Sequence, residues 1–152
     1  MKTVIFDLDG TLAIIDRRRE ISVKPDGKMD WDTFFDPKNI SLDLPNWPVI
    51  DTAKALKAAG NRIVIFSGRS AATQFETELW LKNFGVPFDQ IQMRPNTGGF
   101  KWMKDDKLKK IWLDDLLKDG ADILCSFDDR DKVVQMWRDN DITCMQVAPG
   151  DF

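Results

Sequence analysis

The chain has 152 residues, a length that suits one domain built around one hydrophobic core. Hydrophobic residues make up 43% and charged residues 31% of the sequence, which is typical of a folded protein and not of a disordered one. The formal net charge is −3, and histidine and tyrosine are absent. This excludes Ser-His-Asp and Cys-His catalysis, histidine-phosphatase chemistry and most zinc sites, so an acid or base must be Asp, Glu, Lys or Cys.

Apolar runs of strand type alternate with helix-like stretches along most of the chain. Because parallel strands need crossover connections, this alternation predicts an α/β fold with a doubly wound parallel sheet. The predicted strands are residues 3–6, 62–66, 90–93, 123–127 and 143–147, and the predicted helices are residues 49–59, 71–84, 105–117 and 131–138.

Residues 13–47 interrupt the alternation, are rich in Asp, Pro and Lys, and carry an aromatic patch. An insertion after the first strand would overhang the crevice where such sheets bind ligands. We therefore expect a single domain with a core of residues 1–12 and 48–152 and a small cap or lid of residues 13–47. The patch consists of Trp31, Phe34, Phe35 and Trp47.

The two cysteines, Cys125 and Cys144, lie in separate apolar segments, and we expect both to be reduced core residues. The N-terminus leads into a strand pattern without a signal-peptide layout, and no apolar run reaches membrane-spanning length. The sequence therefore predicts a cytoplasmic protein that has no membrane partner.

The strongest chemical signal is Asp7-Leu8-Asp9-Gly10-Thr11-Leu12, directly after the first predicted strand. Carboxylates two residues apart on an extended segment can face the same side, beyond the strand's carboxyl end where ligands bind. Two close acids disfavour joint ionisation unless a cation relieves them, and Mg²⁺ prefers carboxylates and phosphate oxygens. Asp-Gly alone is ordinary turn chemistry. The full hexapeptide instead favours one carboxylate attacking phosphorus while its neighbour handles the leaving-group proton.

Two more polar segments follow predicted strands. Ser67-Gly68-Arg69 can hold a phosphate oxygen through its hydroxyl and backbone amides before a helix, or it can be a simple cap at Ser67 or Ser70. Asp128-Asp129-Arg130 alone favours an N-cap aspartate. With Asp7 and Asp9 on another strand end, it favours a shared metal site.

Lysines crowd the predicted helix at 105–117 and the residues before it. Most must form a solvated face, but one lysine can neutralise a phosphate and stabilise the transition state. Lys109 can pair with Asp105 four residues earlier, whereas Lys104 is the competing candidate. Spacing alone leaves both lysines open.

In this order, the Asp7-x-Asp9-Gly10-Thr11 motif, Ser67, a lysine and Asp128-Asp129 resemble the haloacid dehalogenase superfamily. The resemblance implies a Rossmann-like three-layer domain and a phosphatase that uses Mg²⁺. It implies that Asp7 is the nucleophile, Asp9 the acid and base, and that Ser67 and a lysine hold the phosphoryl oxygens. Mg²⁺ would be bound by Asp7, by the backbone carbonyl of Asp9 and by Asp128 or Asp129.

A narrower resemblance, to the 3′-phosphatase domain of phage polynucleotide kinase/phosphatase, covers nearly the whole chain outside the insertion. It rests on Ser67-Gly68-Arg69, Phe127-Asp128-Asp129-Arg130 and the final Gln146-Val147-Ala148-Pro149-Gly150-Asp151-Phe152. It implies functional roles for Arg18, Arg69 and Asp105 and favours Lys109 over Lys104. The residues expected to contact substrate are Thr11, Arg18, Gly68, Arg69, Lys104, Asp105 and Arg130.

Three functions follow from these observations. The first is removal of a 3′-phosphate from a nucleic-acid end during repair, for which the basic run 17–19 can meet backbone phosphates. The second is hydrolysis of a nucleotide or small phosphomonoester under an aromatic lid that uses Trp31 or Phe34. The third, a non-catalytic phosphate- or nucleic-acid-binding module, is disfavoured because both Asp7 and Asp9 are present. The expected partner is a phosphorylated nucleic-acid end or a nucleotide, and the oligomeric state stays open.

Overall fold

The structure, a computed structural model, describes residues 1–152. Its strands are β1 (Thr3–Phe6), β2 (Ala13–Ile14), β3 (Leu44–Pro45), β4 (Arg62–Ser70), β5 (Gln90–Arg94), β6 (Ile123–Asp128) and β7 (Cys144–Gln146). Its α-helices are α1 (Asp16–Ile21), α2 (Trp31–Phe34), α3 (Trp47–Ala58), α4 (Gln74–Asn83), α5 (Asp105–Lys118) and α6 (Asp131–Asp139). Five strands form one sheet in the order β5-β4-β1-β6-β7, and every pairing in it is parallel. The predicted doubly wound parallel sheet is confirmed.

Two apolar cores lie on opposite faces of the sheet because successive strand side chains alternate in direction. Val4 and Phe6 of β1 pack in the core that also receives α3 and α4. Ile5 packs in the other core, with α5 and α6. The domain therefore has three layers, with two helices covering each face of the sheet.

The insertion 13–47 has more regular structure than its sequence indicates. It contains α1, α2, the antiparallel pair β2 and β3, and a 3₁₀ helix at Pro37–Leu42. Phe34 and Ile40 from this segment are buried in the same core as α3 and α4. This anchors the insertion to one face of the domain.

Some element bounds differ from the predictions. The second strand of the sheet continues to Ser70, four residues beyond the expected end, and pairs irregularly with β5 between Ser67 and Ser70. The helix expected at 71–84 begins as a 3₁₀ turn at Ala71–Thr73 because the Ser70 hydroxyl accepts a hydrogen bond from the Ala72 amide. The helix propensity of a segment does not encode where the preceding strand ends, so the predicted helix start differs from the observed one.

Both cysteines are unpaired and buried. Cys125 belongs to the core beneath α3 and α4, whereas Cys144 belongs to the core beneath α5 and α6. The sheet separates them, which agrees with the expectation of two reduced core residues. None of the helices combines the length and the apolar character that crossing a bilayer requires.

Candidate active site

The ends of three adjacent strands bring the motif residues together. Asp7 follows β1, Asp128 is the last residue of β6, and Ser67 lies in the last part of β4. Because β1 lies between β4 and β6 and all three are parallel, their carboxyl ends share one edge of the sheet. The Asp7 amide donates to the Phe127 carbonyl over 2.9 Å, which fixes Asp7 beside the fourth motif. Lys109 reaches the same edge from the second turn of α5.

Three carboxylates and one lysine form the centre of the site. One oxygen each of Asp7, Asp128 and Asp129 lies within 4.8 Å of the other two. Lys109 is 2% exposed, and its ammonium donates to Asp7 Oδ1 over 2.8 Å and to Asp128 Oδ2 over 3.0 Å. The Thr11 hydroxyl donates to the other Asp7 oxygen over 3.0 Å. Asp7 is therefore oriented on both of its oxygens.

The charges of this cluster favour a divalent cation. Burial, and then the charge of Asp128, raise the pKa of Asp7 well above its usual value, although Lys109 opposes them. Burial also raises the pKa of Asp129. With all three carboxylates ionised, one ammonium would leave a surplus of two negative charges, and the raised pKa values of Asp7 and Asp129 reflect burial together with this repulsion. The donors are all oxygen atoms, the ligand type that Mg²⁺ prefers, so the residues present fit a magnesium ion.

The Asp9 carboxylate stands outside this cluster and binds two buried arginines. Its Oδ1 accepts from Arg18 over 2.8 Å and from Arg69 over 2.5 and 2.9 Å. Both guanidinium groups also donate to Asp43, from Arg18 over 2.9 and 3.0 Å and from Arg69 over 2.7 Å. Arg18, Asp43 and Arg69 are at most 1% exposed. We call these four residues the arginine network.

The arginine network holds Asp9 in position and favours its ionised form. Although burial raises it, the charges of Arg69 and Arg18 hold the pKa of Asp9 below its ordinary value. All three hydrogen bonds reach Oδ1, so Oδ2 stays available for a proton. Arg18 and Arg69 were expected to contact substrate; the structure buries both side chains and binds them to carboxylates. Here both guanidinium groups bind the Asp9 carboxylate.

Asp105, the first residue of α5, joins two other arginines. Its Oδ1 accepts from Arg94 over 2.5 Å and its Oδ2 accepts from Arg130 over 3.0 Å. The predicted pair between Asp105 and Lys109 is therefore not formed, because the Lys109 ammonium turns to the buried aspartates instead. Lys104 is exposed at the start of α5, and the structure places Lys109, not Lys104, against the motif residues.

The Ser67-Gly68-Arg69 segment lies within β4 and not at a helix N-terminus. Ser67 is buried, and its hydroxyl accepts from the Arg69 amide over 3.2 Å. The Gly68 carbonyl accepts from Arg94 over 3.0 Å. Because α4 begins only at Gln74, the expected help from a helix N-terminus to a phosphate held at Ser67 is absent.

Two glycines allow neighbouring loops to approach Asp129 closely. Gly10 has a φ of +81°, and a Cβ at this position would overlap the Asp129 carboxylate. A Cβ at Gly150 would overlap the backbone carbonyl of Asp129. The Gly150 carbonyl in turn accepts from the Asp131 amide over 2.7 Å. The end of the described chain therefore packs directly against the fourth motif.

Comparison with known proteins decides the family. The model of the family described as "Polynucleotide kinase PNKP phosphatase domain" matches residues 1–152, the whole chain. The chain belongs to this family of phosphatase domains. It is therefore an enzyme of the phosphatase class, and the resemblance to the haloacid dehalogenase superfamily is confirmed.

Two individual relatives are similar to this PNKP-type phosphatase domain over most of its length. It is 30% identical over 141 residues to a putative bifunctional polynucleotide kinase/RNA ligase of Autographa californica nuclear polyhedrosis virus, covering 91% of this chain and 18% of that protein. In a Pnkp1/Rnl/Hen1 RNA repair complex, a chain 31% identical superimposes with a TM-score of 0.82, covering 99% of this chain and 43% of that one. The domain thus spans less than half the length of these relatives.

A more distant structure supports the fold alone. A haloacid dehalogenase-like hydrolase from Streptococcus pneumoniae is 13% identical and has a TM-score of 0.68, with 96% of this chain and 84% of that chain covered. The three-layer architecture of this phosphatase domain is therefore that of the haloacid dehalogenase fold.

Sequence reasoning missed two residues of this PNKP-type domain, Asp43 and Arg94. Arg94 ends β5, so the rule that polar residues at strand ends converge on the site would have found it. Asp43 lies in the insertion between Leu42 and Leu44, and only the fold brings it to Arg69. An acid flanked by leucines is the only signal that its sequence offers.

The aromatic patch of the insertion also differs from expectation. Phe34 was expected to be able to stack a base, but its ring is buried and covers the Arg18 guanidinium, 4.5 Å from the ring centroid. Trp31 is 58% exposed and stacks on Phe35 with 5.8 Å between the ring centroids. Of the two rings considered, only Trp31 is accessible to a ligand.

Proposed function

We propose that this domain is a Mg²⁺-dependent phosphomonoesterase that removes 3′-phosphates from nucleic-acid ends through a phosphoryl-aspartate at Asp7. The observation that carries the proposal is the setting of Asp7. Its carboxylate directly follows a central strand, is oriented by Lys109 and Thr11, and belongs to a cluster of three carboxylates that has a single ammonium partner. A carboxylate oriented in this way can act as a nucleophile toward phosphorus.

We assign the metal to Asp7, Asp128 and Asp129, together with the Asp9 backbone carbonyl that the resemblance implies. Asp128 already accepts from Lys109, Trp137 and two amides, whereas Asp129 has only a 3.5 Å contact from the Thr11 hydroxyl. Asp129 therefore has the more available oxygens. When bound, Mg²⁺ would neutralise negative charge on the phosphoryl oxygens and on the carboxylates.

In the first step, an Asp7 oxygen forms a bond to phosphorus while the bond between phosphorus and the ester oxygen breaks. Asp9 in its acid form, which its lowered pKa makes the minor form near neutral pH, gives its proton to the leaving oxygen, which departs as an alcohol. Lys109 and Ser67 are positioned to hold phosphoryl oxygens as charge spreads over them. The arginine network holds Asp9 in place through Oδ1, which leaves Oδ2 to carry the proton.

In the second step, the Asp9 carboxylate takes a proton from a water molecule, whose oxygen attacks phosphorus. The bond between phosphorus and the Asp7 oxygen breaks, so inorganic phosphate leaves and the Asp7 carboxylate is restored. The low pKa of Asp9 suits this step, because the group must be ionised to act as a base. One residue thus serves as the acid and then as the base.

A polynucleotide substrate is supported by the family and by basic groups beside the site. The matched family is named for polynucleotide kinase, and the 31% identical chain comes from an RNA repair complex. Arg130 follows Asp129 directly and is about one-third exposed, so it can meet a phosphate of the substrate backbone. Arg17 and Arg19 of α1 are also exposed.

The insertion 13–47 is proposed to be a cap that limits which substrates enter. It contributes Arg18 and Asp43 to the arginine network and carries the accessible Trp31. That exposed ring favours a second candidate, a nucleotidase in which Trp31 stacks the base of a mononucleotide. A competition assay separates the two, since a nucleotidase prefers a 3′-mononucleotide to a 3′-phosphorylated oligonucleotide.

The first experiment measures phosphate release from a 3′-phosphorylated oligonucleotide, a 3′-mononucleotide and an aryl phosphate. Each is assayed with Mg²⁺ and with a chelator, for the wild type, Asp7→Asn and the surface control Asp114→Asn. We expect Mg²⁺-dependent release that Asp7→Asn abolishes and Asp114→Asn retains, with the oligonucleotide preferred. Release that survives Asp7→Asn would contradict the mechanism, and equal use of all three substrates would contradict the specificity.

A further inference from the structure

An exposed aromatic turn lies next to the candidate active site and has no role in the chemistry. It is the 3₁₀ helix Gly98–Trp102, which joins β5 to α5. Trp102 is 83% exposed and Phe100 is 39% exposed. A tryptophan presents a large flat ring with an apolar face, and tryptophan is enriched at binding interfaces. We call residues 98–102 the aromatic turn.

Arg94 holds the aromatic turn through hydrogen bonds to backbone carbonyls. One nitrogen of its guanidinium donates to the Phe100 carbonyl over 2.7 Å and to the Met103 carbonyl over 2.6 Å. Its other nitrogens bind the Gly68 carbonyl and Asp105. Trp102 is therefore presented on an ordered element that is fastened to β4 and to the start of α5.

The same contacts connect the aromatic turn to the reaction centre. Asp105 binds Arg94 with one oxygen and Arg130 with the other, and Arg130 directly follows Asp129. Along α5, Asp105 and Lys109 are separated by about 6 Å at 1.5 Å per residue. Three residues of chain span at most about 11 Å, which bounds the distance from Trp102 to Asp105. These lengths place Trp102 within a few nucleotides of a phosphate held at Lys109.

The charges around the ring favour a nucleic-acid strand as its ligand. The Lys101 ammonium lies 5.3 Å from the centroid of the Trp102 ring, and Lys104 is exposed two residues beyond it. Arg94 and Arg130 share a single carboxylate, that of Asp105. This basic patch lies on a chain whose net charge is −3. Stacking rings beside positive charges are how proteins bind single-stranded nucleic acid without reading its sequence.

We infer that Trp102 is a stacking platform for a nucleobase of a single-stranded substrate, a few nucleotides before its 3′-phosphate. The inference rests on the proposed function for its substrate class and adds a residue that contacts a base. The platform accepts any base, because every base has a π face. The domain would then prefer an oligonucleotide to a mononucleotide, since only the longer substrate reaches both the reaction centre and the ring.

The test compares kcat/KM for a 3′-phosphorylated oligonucleotide with kcat/KM for an aryl phosphate, which carries no base. In Trp102→Ala we expect the oligonucleotide value to fall about 5- to 150-fold relative to the aryl phosphate value, the range that stacking gives. Trp102→Phe retains a ring and should recover most of the loss. The control Phe75→Ala removes another exposed aromatic side chain, from the helix on the opposite face of the sheet, and should leave the ratio unchanged.

Abasic substrates locate the stacked base. An abasic nucleotide is placed in turn at each of the four positions nearest the 3′-phosphate. For the wild type, an abasic nucleotide at one of these positions should lower kcat/KM relative to the intact oligonucleotide. For Trp102→Ala, the abasic nucleotide at that same position should cause no further loss of kcat/KM. Insensitivity of the wild type at all four positions, or equal losses in Trp102→Ala and Phe75→Ala, would overturn the inference and leave the proposed function standing.

Failure of the proposed function gives a different result. In that case the wild type hydrolyses the aryl phosphate and no oligonucleotide. Binding of a fluorescent unphosphorylated oligonucleotide, followed by anisotropy, then decides the inference. A weaker Kd for Trp102→Ala than for the wild type would support the platform, and equal Kd values would overturn it.

Discussion

Asp43→Asn tests the arginine network most directly. In the folded protein Asp43 accepts three hydrogen bonds from two guanidinium groups and is 1% exposed. Two aspartates and two arginines balance one another there, so the substitution leaves one uncompensated positive charge in the core. The asparagine amide also points N–H groups at a guanidinium, which has no lone pair to accept them.

Breaking a buried ion pair from one side costs about 3–5 kcal/mol. For a domain of this size, each kcal/mol lowers Tm by roughly 2–4 °C, so we expect Tm to fall by about 10 °C. Activity should fall about 100-fold below the denaturation temperature, because Asp9 loses the arrangement that positions it. Thermal denaturation and phosphate release are measured on the same preparations.

Asp114→Asn is the matched control, since it makes the same chemical change in an exposed pair. Asp114 is 55% exposed, and its bond to Lys110 is a surface helix contact worth about 0.5 kcal/mol. If Asp43→Asn lowered Tm no more than Asp114→Asn does, the claim that the buried charges of the arginine network stabilise one another would be refuted. Full activity in Asp43→Asn would refute the claim that Asp43 helps to position Asp9 through the two arginines.

Three further predictions concern the reaction centre. On the aryl phosphate, Lys109→Met should lower kcat about 100-fold or more by removing a donor to the phosphoryl group, whereas Lys104→Met should retain most of its kcat, and comparable losses would contradict the choice of lysine. Asp9→Asn should slow phosphate release from the oligonucleotide by about 10²- to 10⁴-fold and release from the aryl phosphate much less, because an aryl leaving group needs no proton. Equal losses on both substrates would argue against an acid role for Asp9. Mg²⁺ at 100 times its Kd should stabilise the wild type by about 2.7 kcal/mol in urea denaturation, and Asp129→Asn should lose this gain, whereas a gain that Asp129→Asn retains would place the ion elsewhere.

The order of secondary structure followed from local sequence. Apolar runs alternating with helical stretches were enough to predict a parallel sheet, because parallel strands require crossovers. The central site could also be predicted from the local sequence. Asp7, Ser67 and Asp128 each stand at or near the end of a predicted strand, and parallel strands end at one edge. The positions of these three residues along the chain therefore predicted that their side chains lie close together at one edge of the sheet.

The contacts of long side chains could not be predicted from residue positions along the chain. Asp105 and Lys109 have helix-pair spacing, yet Asp105 pairs with Arg94 and Arg130. Lys109 pairs with the buried aspartates, because the low-dielectric interior makes those ion pairs stronger than a solvated helix pair. Spacing along a helix predicts only the neighbours on that helix.

The sequence by itself determined the fold class, the motif at Asp7 and the strand ends where the carboxylates gather. Only the tertiary structure decided what surrounds them. It buried Arg18 and Arg69 around Asp9 and supplied Asp43 from an insertion whose sequence has no clear period. The physical reason is that strand and helix patterns are local, with periods of 2 and 3.6 residues. Pairing of buried charges depends instead on which distant segments fold against each other, since every charge in the interior needs a partner there.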